Sequence, residues 1–157
     1  MAEWKRFCCA VDFSEPSRVA MREAAELTRR FGGELELVHV HPLPPPAVDL
    51  EPEPAAPDIL EITLREQREA LGPWQEEAAR HAGRPVHSTL IPGIAADEIV
   101  RFARERAIDV VVIGTHGRKG LARLLLGSVA ERVVREAPCA VVVVRPRETA
   151  RSAPGPR

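Results

Sequence analysis

Four glycines fall in one stretch, GTHGRKGLARLLLGS, at positions 114, 117, 120 and 127, between the apolar run IDVVVI and the helical pattern VAERVVREA. At Gly114 and Gly117 the missing Cβ opens backbone conformations closed to other residues and lets a bulky anion approach the peptide N–H groups. Gly127 and Ser128 open the following helix, whose first N–H groups lack intrahelical partners and carry partial positive charge. A strand end, a glycine loop and a helix start, in that order, make a phosphate cradle. Ser128 is placed to cap the helix when the cradle is empty and to donate its hydroxyl to a phosphate oxygen when it is filled. His116 would line the same pocket. Arg118, Lys119 and Arg123 read equally as phosphate-neutralising groups and as a solvated loop face above Leu121, Leu124 and Leu125.

Asp12, near the end of the first apolar run RFCCAVDF, is the second candidate. A carboxylate at a strand end suits a sugar hydroxyl, and equally suits the cap of the helix that begins near Ser14. His39 and His41 share one strand face at i and i+2, a spacing open to metal ligation, but no cysteine or acidic cluster fits beside them. Of the three cysteines, Cys8 and Cys9 are adjacent and none forms a CxxC. That pattern makes neither a disulfide framework nor a zinc site and suits small hydrophobes packed in a reducing compartment.

These residues need elements to hold them. The run ending at Asp12 reads as a strand, and SEPSRVAMREAAELTRRFGG as a helix capped by Ser14, with Pro16 in its first turn and Gly32-Gly33 as its stop. Ala20, Ala24, Leu27 and Phe31 mark its apolar stripe. ELELVHVH reads as a second strand. The seven prolines of HPLPPPAVDLEPEPAAP forbid helix interior and sheet ladder, which predicts an exposed loop over 42–57. In the next helical segment Leu60, Leu64, Leu71, Trp74 and Ala78 lie near one face, and Gly72-Pro73 predicts a kink or a split. RPVHSTLIPG, IDVVVIG and CAVVVV are further strands. Between the first two lies the helix IAADEIVRFARERA, with Ala95, Ile99, Phe102 and Arg106 at helical intervals, and SVAERVVREA precedes the last. Strict alternation of strand and helix, with continuous Val/Ile runs, predicts an α/β, Rossmann-like fold. Its five-stranded parallel sheet is doubly wound, with helices on both faces. Its ligand crevice lies outside the carboxyl ends of the strands, where the winding reverses.

Length and composition set the outer limits. The 157 residues suit one domain, taken as 1–146, followed by a flexible polar tail, 147–157. Lys+Arg 22 against Asp+Glu 23 leaves a formal net charge of -1, so no global field recruits nucleic acid or an anionic membrane. The arginines of the tail lack an aromatic platform for bases. No apolar run approaches the roughly 20 residues of a membrane-spanning helix, and the amino end is unlike a signal peptide, which places the chain in the cytoplasm.

No GxxxxGK[ST] occurs and no GxGxxG follows the first strand, which excludes a P-loop and argues against a dinucleotide site. The pattern Gly-x2-Gly-x9-Gly-Ser does occur, and here the sequence resembles the universal stress protein family, in its nucleotide-binding branch. The resemblance spans AVDFSEPSRVA, LVHVHP, IPGIAADEIVRFARE and, most specifically, DVVVIGTHGRKGLARLLLGSVAERVVREAPCAVVVV. It implies ATP, with Mg, held by one such fold. Asp12 would then accept a ribose hydroxyl, Val11 and Val40 would wall or edge the adenine, and Val40 would do so through its backbone. Ile113, Gly114, His116 and Gly117 would line one side of the phosphates, and Gly127, Ser128 and Val129 the other. The resemblance also implies a homodimer through the fifth strand, an apolar edge that would otherwise stand unpaired. The Pro-rich insertion departs from the family pattern and lies on the adenine side.

Two functions fit. One is a stress-response regulatory dimer in which bound ATP changes what unidentified protein partners dock. The other is a slow ATP hydrolase or a nucleotidyl- or phosphoryl-transfer enzyme. Such chemistry needs a metal anchor, a positioned nucleophile and charge clamps, and Asp12 and Ser128, the only assigned groups able to serve, lack an obvious neighbouring base.

Overall fold

A computed structural model describes residues 3–43, 57–116 and 126–146. The Pro-rich stretch 44–56, residues 117–125 with Gly117 among them, and the tail from 147 onward lie outside the described residues. The elements are β1 (Arg6–Ala10), α1 (Glu15–Phe31), β2 (Glu34–Pro42), α2 (Pro57–Ala82) and β3 (His87–Gly93). They continue with α3 (Ala95–Glu105), β4 (Val110–Gly114), α4 (Ser128–Glu136) and β5 (Ala140–Val144).

All four strand pairings are parallel and the spatial order is β3-β2-β1-β4-β5. The chain winds outward from β1 to β3, then crosses back to β4 and winds the other way, so the reversal lies between β1 and β4. Alternate residues of each strand feed opposite cores. Phe7, Cys9, Leu35, Leu37, Val110 and Val112 join α1 and α2 on one face. Cys8, Ala10, Val38, Val40, Val111 and Ile113 join α3 and α4 on the other. Every residue of β4 is buried, which is why its sequence is apolar without alternation. Burial pushes the Cys8 and Cys9 thiols well above their ordinary range, so they pack as uncharged hydrophobes.

Both ends of α1 follow their sequence signals. Ser14 caps its start by accepting from the Ser17 amide, and Gly32, at φ 64°, ends it with its N–H turned back to the carbonyls of Thr28 and Arg29. Its buried face is wider than the predicted stripe, adding Met21, Ala25 and Thr28, while Phe31 lies at the rim beside Trp4 and Phe7. Thr28 satisfies its hydroxyl on the Ala24 carbonyl at 2.7 Å.

The expectation for α2 needs correction, because it runs as one helix through Gly72-Pro73. Leu71 and Trp74, on either side of the break signal, are both buried and anchor the two turns in the same core. Proline removes the bond to the Glu69 carbonyl, and Glu69 is exposed, so water can take that acceptor. The apolar stripe holds only in the second half. Leu60 is 45% exposed and lies outside the core, whereas Leu71, Trp74 and Ala78 are in it.

The second glycine of Gly32-Gly33 has a separate reason. A Cβ on Gly33 would stand 2.5 Å from the Lys5 carbonyl oxygen and 2.8 Å from the Phe7 ring, where β2 enters the sheet beside β1. Gly33→Ala must therefore displace backbone, at a cost of about 1 to 3 kcal/mol. Urea denaturation should show this as a lowered midpoint with an unchanged slope. Gly32→Ala should also destabilise, but through its positive φ, with no clash to relieve.

Candidate functional site

The carboxyl ends of β1 and β4 meet at the reversal of winding, and the loops that leave them carry most of the candidate residues. Beyond β4, the buried Thr115 donates its amide to the Val144 carbonyl of β5 at 3.1 Å and accepts the Gly127 amide at 2.7 Å. The second bond brings the start of α4 back against the end of β4. A Cβ on Gly127 would lie 3.0 Å from the Thr115 carbonyl oxygen and 3.5 Å from the Cα of His116. His116 is therefore placed beside the first turn of α4.

Gly127, in extended conformation, is the N-cap of α4, and no side-chain hydrogen bond caps the helix among the described residues. Ser128 is the first helical residue rather than the cap, one position from its expected role. It and Val129 stand exposed on the first turn. The first helical bond is made by Glu131 to the Gly127 carbonyl, so the amides of Ser128, Val129 and Ala130 precede the helical ladder. His116, whose backbone lies against Gly127, has a buried Nε2 with no hydrogen-bond partner among the described residues. An uncapped helix start favours an anion or another strong acceptor, and a buried ring nitrogen carrying its proton would favour the same.

Gly114 serves a different purpose from the one its sequence suggested. The space where its Cβ would stand is filled by Pro16, whose carbonyl oxygen is 3.1 Å from that point. Its missing side chain admits the first turn of α1 against β4. Ile113 is buried in the α3/α4 core and reaches the loop only through its backbone.

The turn from β1 into α1 is tightly bonded. Asp12 Oδ1 accepts the Ser14 amide at 3.0 Å and also the Ser14 hydroxyl. The Asp12 amide donates to Ser17 Oγ at 3.2 Å, and Ser17 Oγ donates to the Ser14 carbonyl at 3.0 Å. Asp12 thus holds the helix entrance, one of the two roles its position allowed.

Between Asp12 and Ser14, Phe13 has φ 64°, a left-handed conformation that costs a non-glycine residue about 1 to 3 kcal/mol. Its ring lies 4.4 Å from that of His39 and 5.7 Å, edge-on, from that of Trp74. Two such pairs contribute about 0.5 to 1.5 kcal/mol each, enough to offset the strain. The guanidinium of Arg18 covers the Trp74 ring at 4.9 Å. No sequence signal marks a phenylalanine for the left-handed region, and Phe13, Thr115 and Trp74 were not among the candidates.

Val11 is a core residue, 4% exposed in the α1/α2 layer, so its side chain does not wall a pocket. Its amide bonds Val38 and its carbonyl lies 2.8 Å from His39 Nδ1. His39 is thereby built into the β1–β2 junction. Val40 also buries its side chain, in the opposite layer. It stands two residues past Val38, the last β2 residue paired with β1, which leaves its β1-facing edge beyond the ladder. His41 Nδ1 is buried without a hydrogen-bond partner among the described residues. Among the described residues no group of three or more His, Cys, Asp or Glu side chains is arranged to hold a metal ion.

Residues 3–145 match the model of the universal stress protein family. Universal stress protein MJ0531 of Methanocaldococcus jannaschii is 36% identical over 142 residues, 90% of this chain and 82% of that protein. Among solved structures, universal stress protein UspA from Lactobacillus plantarum superposes with a TM-score of 0.77 at 25% identity, covering 92% of this chain and 100% of that one. The universal stress protein from Archaeoglobus fulgidus in complex with dAMP superposes with a TM-score of 0.60 at 28% identity, covering 90% and 98%.

Ser14 joins the cap of α1 to the Asp12 carboxylate, so Ser14→Ala removes both. The expected loss is about 0.5 to 2 kcal/mol of stability, typical of an N-cap. Chemical denaturation measures it, and a variant as stable as the parent would show that the bonds at this turn contribute nothing.

Proposed function

The chain belongs to the universal stress protein family, and from that membership we propose that it is a cytoplasmic, ATP-binding regulatory protein of the stress response. The observation that carries this reading is the first turn of α4, uncapped by any side chain among the described residues, with the backbone of His116 against its N-cap Gly127 and the His116 Nε2 buried without a described partner. These groups suit phosphate oxygens, which accept several short hydrogen bonds at once. The Archaeoglobus fulgidus relative in complex with dAMP supports an adenine nucleotide as the class of ligand.

In this reading the amides of Ser128 and Val129, with the Ser128 hydroxyl and His116, hold the phosphates, joined by Gly117 from the loop. Asp12 accepts a ribose hydroxyl, and the backbone edge of Val40 faces the base. Gly114 and Gly127 contribute by letting α1 and α4 close on the end of β4. Mg would travel with the triphosphate, held by phosphate oxygens and water, as that ion commonly is.

Binding acts as a regulatory signal by changing the surface offered to a protein partner. The assembly is a homodimer through β5. Among the described residues this strand pairs only with β4, and its central valines are half buried, which suits pairing along its outer edge.

Acid extraction of the purified protein should release adenine nucleotide in near-stoichiometric amount, and incubation with Mg-ATP should free negligible phosphate. By calorimetry, Asp12→Ala should weaken ATP binding by about 1 to 3 kcal/mol and His116→Ala by a similar amount, each as the loss of one hydrogen bond to a charged or buried partner. Unchanged affinity in both variants would contradict the placement of the site. Rapid phosphate release would contradict a purely regulatory role.

A further inference from the structure

Asp12 is gripped from both sides along the chain. Ahead of it, the Val11 amide is bonded to Val38 and the Val11 carbonyl faces His39 Nδ1 at 2.8 Å. Behind it, Phe13 turns left-handed, and its ring packs at a tilt against His39 and edge-on to Trp74. The left-handed step turns the chain out of the β1 direction, so that the Ser14 amide points back to the Asp12 carboxylate. His39, on β2, takes part in both grips. Trp74 fixes the far side from α2, held there by Arg18.

We infer that Phe13 is a positioning residue for the nucleotide site: its ring, held between His39 and Trp74, fixes the left-handed backbone that aims the Asp12 carboxylate. The inference rests on the proposed nucleotide reading and extends it from Asp12 to the residue that follows it in the chain. It also makes the ribose-binding carboxylate depend on how α2 packs, because Trp74 belongs to that helix. A glycine at position 13 accepts positive φ at no steric cost but samples negative φ as readily. The carboxylate would then lose its single direction.

The test is a double-mutant cycle on the full chain, with ATP affinity measured by calorimetry for the parent, Phe13→Gly, Asp12→Ala and the double variant. Phe13→Gly should weaken binding about tenfold in the parent and change it by less than about twofold when Asp12 is already alanine, the non-additivity expected of residues acting as one unit. Phe13→Tyr, which keeps the ring, should bind ATP like the parent. If Phe13→Gly fails to fold, Phe13→Leu passes through the same cycle, keeping apolar bulk and losing the ring contacts. Equal losses in both backgrounds, or a tyrosine variant as weak as the glycine one, would overturn the role of Phe13 while the nucleotide reading stands. A parent chain that does not bind ATP would overturn both.

Discussion

A hydrogen bond from the Gly127 amide to the Thr115 carbonyl, at 2.7 Å, brings the start of α4 against the end of β4. The placement of the first turn of α4 depends on it. It needs a residue without a side chain, because a Cβ at Gly127 would press on the acceptor. It also needs Thr115 to be immobile, and the bond from the Thr115 amide to Val144 supplies that by tying the residue to β5. The consequence is that the partial positive charge of a helix start is delivered to the end of the most deeply buried strand, next to the one histidine of that loop.

The opposite side of the crevice uses strain where this side uses absence. At the β1–α1 turn a bulky aromatic residue holds a backbone conformation normally reserved for glycine, and packing against two rings offsets the cost. Glycines elsewhere do structural work. Gly114 admits α1, and Gly33 admits the backbone of Lys5. The two halves thus divide the labour. One presents amides through tight closure, and the other presents a carboxylate through a clamped turn.

Much of this architecture is legible in the residues themselves. The alternation of strand and helix, the Val/Ile runs, the Ser14 cap and the Gly32 stop all have local causes, and local causes leave local signals. What escaped reading arises from contacts distant in sequence. Pro16 explains Gly114, and nothing near Gly114 announces it. Pro73 is a break signal that the anchoring of Leu71 and Trp74 overrides. Val11 was assigned to the base, but strand parity sends its side chain into the α1/α2 core, and parity shows only once the neighbouring strands are in register. The cap of α4 falls on Gly127 rather than Ser128, a shift of the size at which helix ends are usually ambiguous.

The central claim, that backbone amides at the start of α4 receive phosphate oxygens, is most directly tested by following amide resonances of the labelled protein while Mg-ATP is added. The account predicts that the largest shifts fall on Gly127, Ser128, Val129 and His116, with a second group at Asp12 and Phe13. Shifts confined to the opposite, amino end of the sheet, or no shifts at millimolar nucleotide, would contradict it.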